Sequence, residues 1–356
     1  MRYLENDNGI DKMALARISV PLLLSFLCCS CSEDAATTLP VTSADALYAQ
    51  ALALLKPNVE NAEPDVKGAL ALLEKAARAG HVRACLDMAG IYMEGSKDGS
   101  VKADAKAAFF WASKAAALGD STADYLCALL LLTEGKTQAA NPYLDKALSA
   151  HLAEAYLLKA FILLDSEHVA DILRIYAHTR RGSIMQQMEA QKSLDRIMRV
   201  RFNDSFLQTL TAAAHAGSPD ALYFLGRYYI IQKDSAAISW LTKAAESGHP
   251  ATVAKAAYTL ATQYEDDLPT AMRWYKIAAD SGDARAQYML ALRLLSGDGV
   301  EANVQQGEAL LRLAAGQHYA PAVEQLIRYL FAQDAEAYAD EIHAWQKVFQ
   351  QLSAHQ

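Results

Sequence analysis

Apolar residues recur along this chain with a helical spacing almost from end to end. A small residue is followed four positions on by a large apolar or long one, and five positions on by a second small one. The small–small pairs are Ala46/Ala51, Ala84/Ala89, Ala123/Ala128, Ala155/Ala160, Ala221/Gly226, Ala256/Ala261, Ala286/Ala291 and Ala322/Ile327. Seven of the eight keep a small residue in the second slot, where two helix backbones can approach closely only if no bulky side chain intervenes. The pattern predicts a series of helix–turn–helix units.

Each first helix is followed by another that ends in alanines and often glycine, as at Lys75-Ala76-Ala77…Gly80, Lys114-Ala115-Ala116…Gly119, Lys243-Ala244-Ala245…Gly248 and Ala278-Ala279…Gly282. Glycine there suits a left-handed C-terminal cap that turns the chain into the next unit. Trp111, Trp240 and Trp274 each stand eight residues before such a glycine. A rare residue at one register position marks shared packing, so these rings are expected in the core.

These segments resemble the Sel1-like repeat, a relative of the tetratricopeptide repeat. Residues 221–248 (ALYFLGRYY…ISWLTKAAESG) and 256–282 (AAYTLATQY…AMRWYKIAADSG) follow its two-helix pattern, and the loops GSKDGSV at 95–101 and SGDGV at 296–300 resemble its inter-helix turn. The resemblance implies an all-α, right-handed α-solenoid of about seven to eight repeats over residues 45–330. His151 and His318 stand where the capping glycine belongs.

One unit is irregular. Its first helix starts at Ala155 and its closing glycine is Gly217, leaving a helical insert at 164–208 with apolar Ile172, Ile175, Leu194, Ile197 and Met198. From Asp171 to Arg201 it carries Arg174, Arg180, Arg181, Lys192, Arg196, Arg199 and Arg201 against Asp171, Glu189 and Asp195. Two readings are open: a basic docking surface for an acidic partner, an anionic polysaccharide or lipid headgroups, or longer helices whose charged faces meet water. The insert also offers a place for the solenoid to divide into halves. Residues 331–356 continue the helical pattern with more polar positions, as expected of a capping helix.

The first residues differ from the body. Arg17 precedes an apolar run from Ile18 to Cys29, too short to span a bilayer, and a polar tract follows. Residues 1–31 read as a signal peptide with a lipobox-like end, Met13 being the expected true start. Cys31 is the chosen lipidation site and Cys29 the alternative; cleavage without lipid is the simpler reading. Residues 32–44 read as a flexible tether. This places the protein in the periplasm, and Ser32 after the lipid site points to the outer membrane by the sorting habit of such lipoproteins. The net charge of −8 argues against nucleic acid, whose phosphates need a basic surface.

Candidate chemistry is sparse. No glycine-rich phosphate loop, GxSxG or HExxH occurs, so no catalytic residue, cofactor or metal is expected. His81, His151, His215, His249 and His318 lie at repeat junctions and read as structural, and Cys85 and Cys127 as separate thiols. Counting from each leading alanine, positions two, six and nine share a face distinct from the packing slots, at about 100° per residue. Position two holds Tyr48, Tyr125, Tyr223, Tyr258 and Tyr288, with Leu86, Leu157 and Glu324 in the other copies; Arg227 and Arg328 occupy position six. In tetratricopeptide relatives the corresponding face grips peptides. This stripe therefore reads either as a protein-binding face or as filling between neighbouring first helices. The leading expectation is a non-catalytic scaffold for protein partners in the cell envelope; the rivals are an envelope enzyme and an anionic-glycan binder acting through the insert.

Overall fold

A computed structural model describes residues 43–55, 66–95, 99, 101–181 and 184–354. The signal peptide, Cys31 and all but the last two residues of the tether lie outside the described residues. Within them the chain is all α-helix, without strands, and its helices pair as an α-solenoid. It divides into two compact units, one running through Ala177 and the other from His178. The division falls inside the insert.

The N-terminal unit pairs α1 (Ser43–Leu55) with α2 (Val66–Arg78), α3 (Val82–Glu94) with α4 (Ala105–Ala117), and α5 (Ser121–Thr133) with α6 (Thr137–Ser149). The next first helix, α7 (Ala153–Leu164), is followed by the insert helix α8 (Val169–Arg181), which crosses into the second unit. Val169, Ile172, Leu173 and Tyr176 of α8 are buried, and the Phe161 and Tyr176 rings meet at 5.1 Å.

The second unit contains the insert helix α9 (Ile184–Arg201) and then α10 (Asp204–His215), which closes the irregular repeat. The pairs that follow are α11 (Pro219–Ile231) with α12 (Ala236–Ala245), α13 (Pro250–Gln263) with α14 (Leu268–Asp280), and α15 (Ala284–Ser296) with α16 (Val304–Gly316). Last come α17 (Ala320–Asp334) and α18 (Ala339–Ala354). Helix α18 covers the end of the core: Ile342 is buried, Trp345, Val348 and Phe349 pack beside it, and Arg312 of α16 pairs with Glu341.

The alternation of small and large residues has the predicted consequence. Six second-slot alanines, Ala51, Ala89, Ala128, Ala160, Ala261 and Ala291, are fully buried. The slot held by Gly226 is tighter still: a Cβ there would lie 2.5 Å from Leu241 Cγ of the paired helix. The second helices answer with Leu73, Leu144, Leu241 and Leu311, none more than 1% exposed. Ala46 departs from the pattern, being exposed while Ala44 takes the buried position on α1.

Polar side chains fix where several of the helices begin. Asp120 Oδ1 accepts from the Ala123 amide (2.8 Å), Asn203 Oδ1 from Phe206 (2.8 Å) and Asp283 Oδ1 from Arg285 and Ala286 (3.0 and 3.1 Å). Each satisfies amides that a helix start leaves without a partner. At the repeat junctions Gly119 and Gly282 have φ near +90°. His151 and His318 adopt φ of 56° and 60° at the equivalent turns, so these copies keep the turn at the cost of a side chain in left-handed backbone.

Candidate interaction groove

The position-two tyrosines join one repeat to the next. Tyr48 donates its hydroxyl to Asp87 Oδ2 at 2.8 Å and stacks on His81 at 4.2 Å. The Tyr258 ring lies under the Arg285 guanidinium at 3.9 Å, and Tyr288 meets Tyr319 edge-on at 5.6 Å. Tyr125 and Tyr223 are buried, and Tyr48, Tyr258 and Tyr288 half-buried. Burial pushes the Tyr223 hydroxyl above its ordinary range despite Arg227 and Arg285 beside it, and raises Tyr319 to about 12. Of the two readings of this stripe, filling between neighbouring first helices describes these contacts; Tyr125 and Tyr223 offer a partner almost no surface.

A different feature forms the open site. In the second unit, α9 faces the N-terminal turns of α13 and α15 across a cleft of about 170 Å³. Ile184, Gln187, Met188 and Gln191 form its α9 wall; Tyr223, Ala251, Ala254, Lys255 and Gln317 line it opposite, and Asp283 and Arg285 close the far end. The helix is anchored by Arg227, whose guanidinium pairs with Asp195 of α9 (Nε to Oδ1, 3.3 Å), while Gln191 Nε2 donates to the same carboxylate at 2.9 Å. Arg227 is thus an internal tie.

Arg285 is held on two sides. Its Nε and Nη2 reach Asp283 at 3.1 and 2.5 Å, and Tyr258 covers its face. Burial works against the charge, but the bond to Asp283 holds its pKa above the ordinary arginine value. Opposite α9, Gln317 Nε2 donates to Gln287 Oε1 (2.9 Å), which in turn donates from Nε2 to the Ala279 carbonyl (3.3 Å). Sequence reasoning missed Lys255, Arg285, Gln191 and Gln317. The available signal was register: Lys255 and Arg285 both stand immediately before a leading alanine.

The basic insert is less uniform than its composition. Arg174 is half-buried and pairs with Asp171 at 2.7 Å, and Lys192 reaches Glu189 at 3.6 Å. Arg196, Arg199 and Arg201 are exposed on α9; the side chains of Arg180 and Arg181 lie outside the described residues. On α17, Arg328 is exposed and pairs with Glu324 at 2.5 Å.

The junction histidines have structural partners. His81 Nδ1 accepts from the Ala84 amide at 3.0 Å, His215 meets Trp240 edge-on at 6.1 Å and His249 Nδ1 lies 3.2 Å from Thr252 Oγ1. Trp111 is buried, whereas Trp240 and Trp274 are half-buried, so two of the three rings only border the core. Lys243 lies over the Trp240 ring at 4.5 Å. Cys85 and Cys127 are buried and free. Among the described residues no three His, Cys, Asp or Glu side chains gather as metal ligands, and no helix is long and apolar enough to cross a membrane.

Paired helices stacked through small residues, with short junction turns that pass through left-handed backbone, define a helical-repeat protein. The Sel1 repeat matches at residues 44–81, 82–120, 212–249, 259–283 and 284–319, and the chain belongs to the Sel1-repeat proteins. Such proteins are typically non-catalytic scaffolds for protein–protein interaction. Among solved structures, it is similar to a protective antigen of uropathogenic Escherichia coli displaying an SLR fold, at 22% identity, covering 88% of this chain and 73% of that one with a TM-score of 0.39. It is also similar to a Sel1 repeat protein from Oxalobacter formigenes, at 25% identity, covering 81% and 87% with a TM-score of 0.38. An immunity protein from Pseudomonas aeruginosa matches at 18% identity, covering 79% and 84%, with a TM-score of 0.36.

Proposed function

We propose that this protein is a non-catalytic adaptor of the bacterial cell envelope, held at the outer membrane through a lipid on Cys31, that binds a protein partner along the cleft of its second unit. The observation that supports it is the cleft itself: an open, polar recess set by α9 against the ends of two repeats, with charged and amide groups at fixed positions. Its lining contains one carboxylate, Asp283, and Arg285 holds it. Hydrolysis of a glycosidic bond ordinarily needs two carboxylates about 5–9 Å apart, so this lining favours binding over that chemistry.

The test is chemical crosslinking in intact cells, followed by cell fractionation and mass spectrometry of what the tagged full chain retains. We expect the chain in the membrane fraction with one protein enriched, lost when Ala251→Arg fills the cleft. An unfractionated, soluble chain, or capture unchanged by Ala251→Arg in a folded protein, contradicts the proposal. A second reading is supported by the exposed Arg196 and Arg199 on α9, which suit an anionic glycan. Arg196→Glu with Arg199→Glu would abolish retention on an anionic polysaccharide under that reading and leave the cleft untouched.

A further inference from the structure

The cleft between α9 and the ends of α13 and α15 carries charged and amide groups besides the Asp195–Arg227 tie. Arg285 spends Nε and Nη2 on Asp283, and among the described residues its Nη1 has no hydrogen-bond partner. Lys255 lines the same recess. The first turns of α13 and α15 also border it, and the dipole of a helix start favours negative charge. On the two walls, Gln191 and Gln317 each commit the Nε2 end of the side-chain amide to the protein, at 2.9 Å in both cases. Their Oε1 atoms remain as acceptors. The arrangement is thus cationic donors at the end and side, with carbonyl acceptors on facing walls.

An extended peptide offers the complement: backbone N–H groups along its edges and, when acidic, a carboxylate side chain. We propose that the cleft binds an acidic segment of a protein in extended conformation. Its carboxylate meets Arg285 and Lys255, and its backbone amides donate to Gln191 and Gln317 Oε1. This rests on the adaptor reading and names the chemistry of the partner. Arg285 is suited to the role because Asp283 and Tyr258 already fix its guanidinium, so little side-chain freedom is lost on binding.

The experiment is fluorescence anisotropy on the full chain with a labelled serine–glycine peptide carrying consecutive aspartates and glutamates. Its counterpart has asparagine and glutamine in their place. The acidic peptide is expected to bind at least tenfold more tightly, with affinity falling as salt rises. Arg285→Gln should weaken it by about tenfold or more, the loss expected for one charge-assisted bond. Because Asp283 also caps α15, Arg285→Gln could disturb folding; Lys255→Gln and Gln317→Ala remove cleft contacts without touching that cap. Each should weaken binding several-fold with unchanged circular dichroism. Equal binding of both peptides, no binding, or wild-type affinity in Lys255→Gln and Gln317→Ala would overturn the proposal. So would competition by free succinate as strong as by the peptide, which would mark a site for small carboxylates. Loss of peptide binding with cellular capture intact would sink the cleft chemistry and leave the adaptor reading standing.

Discussion

Gly226→Ala isolates the packing rule on which the repeats are built. Alanine is favoured over glycine inside a helix by about 1 kcal/mol, so an unopposed substitution should stabilise. At Gly226 it is opposed: the new Cβ would lie 2.5 Å from Leu241 Cγ, 2.6 Å from Cδ2 and 3.3 Å from the Leu241 backbone nitrogen. Carbon atoms pack comfortably at about 3.5–4.0 Å, so Leu241 must retreat by about 1 Å. It is fully buried, and such overpacking typically costs about 1–3 kcal/mol. The net expectation is a loss of up to about 2 kcal/mol. Gly316→Ala is the control, because it sits in the last turn of α16 with nothing within 4 Å of the added carbon. It should be neutral to stabilising by up to about 1 kcal/mol. Both sites lie in the second unit, so urea denaturation followed at one transition compares them directly, provided the slope is unchanged. In a Leu241→Ala background the penalty of Gly226→Ala should vanish. A Gly226→Ala protein stabilised as much as Gly316→Ala would refute the claim that helix approach is set at this slot.

Other substitutions follow from single contacts. His318→Gly should stabilise by about 0.5–1 kcal/mol, since the relief of left-handed backbone exceeds the added freedom of the unfolded chain; His318→Ala should give no such gain in thermal melting. Tyr48→Phe removes the hydroxyl donated to Asp87 and should cost about 1–3 kcal/mol by denaturant unfolding. Asp124 is buried with no hydrogen bond to Oδ1, Lys146 Nζ standing 4.0 Å from it, and burial raises its pKa, with Lys146 opposing and Asp120 adding to the effect. A carboxyl whose folded pKa is raised binds protons more readily when folded, so its contribution to stability should grow as pH falls from neutral through the raised value. It should level off below the ordinary value of about 4. At the equivalent position Cys85 and Gln287 donate to the carbonyls of Ala77 and Ala279. Asp124→Asn, able to donate likewise to Ala116, should stabilise by about 1 kcal/mol at neutral pH and flatten that pH dependence.

The repeat architecture was legible because its causes are local. A buried small residue five positions after another, and a left-handed turn after the second helix, leave a mark in nearly every copy, so His151 and His318 could be placed even without glycine. The direction of the tyrosine stripe was legible too, but its use was not: whether Tyr223 faces solvent depends on Thr259 and Arg285 of later helices, which no periodicity encodes. The cleft was hidden for the same reason. It exists because Asp195 in the insert meets Arg227 thirty-two residues on, a contact between an irregular segment and a regular one. The net charge of the insert does not say where its charge stands: Arg174 and Lys192 are each beside a carboxylate, while Arg196 and Arg199 are exposed on α9.

The adaptor claim is tested most directly by placing a photoreactive residue at Ala251, in the cleft, or at Phe110, which is 48% exposed on α4 of the N-terminal unit and outside the cleft lining. Each chain would be irradiated in intact cells. The account predicts a covalent adduct of defined mass to one protein from Ala251 and none from Phe110. No adduct at Ala251, or the same adducts from both positions, would contradict it.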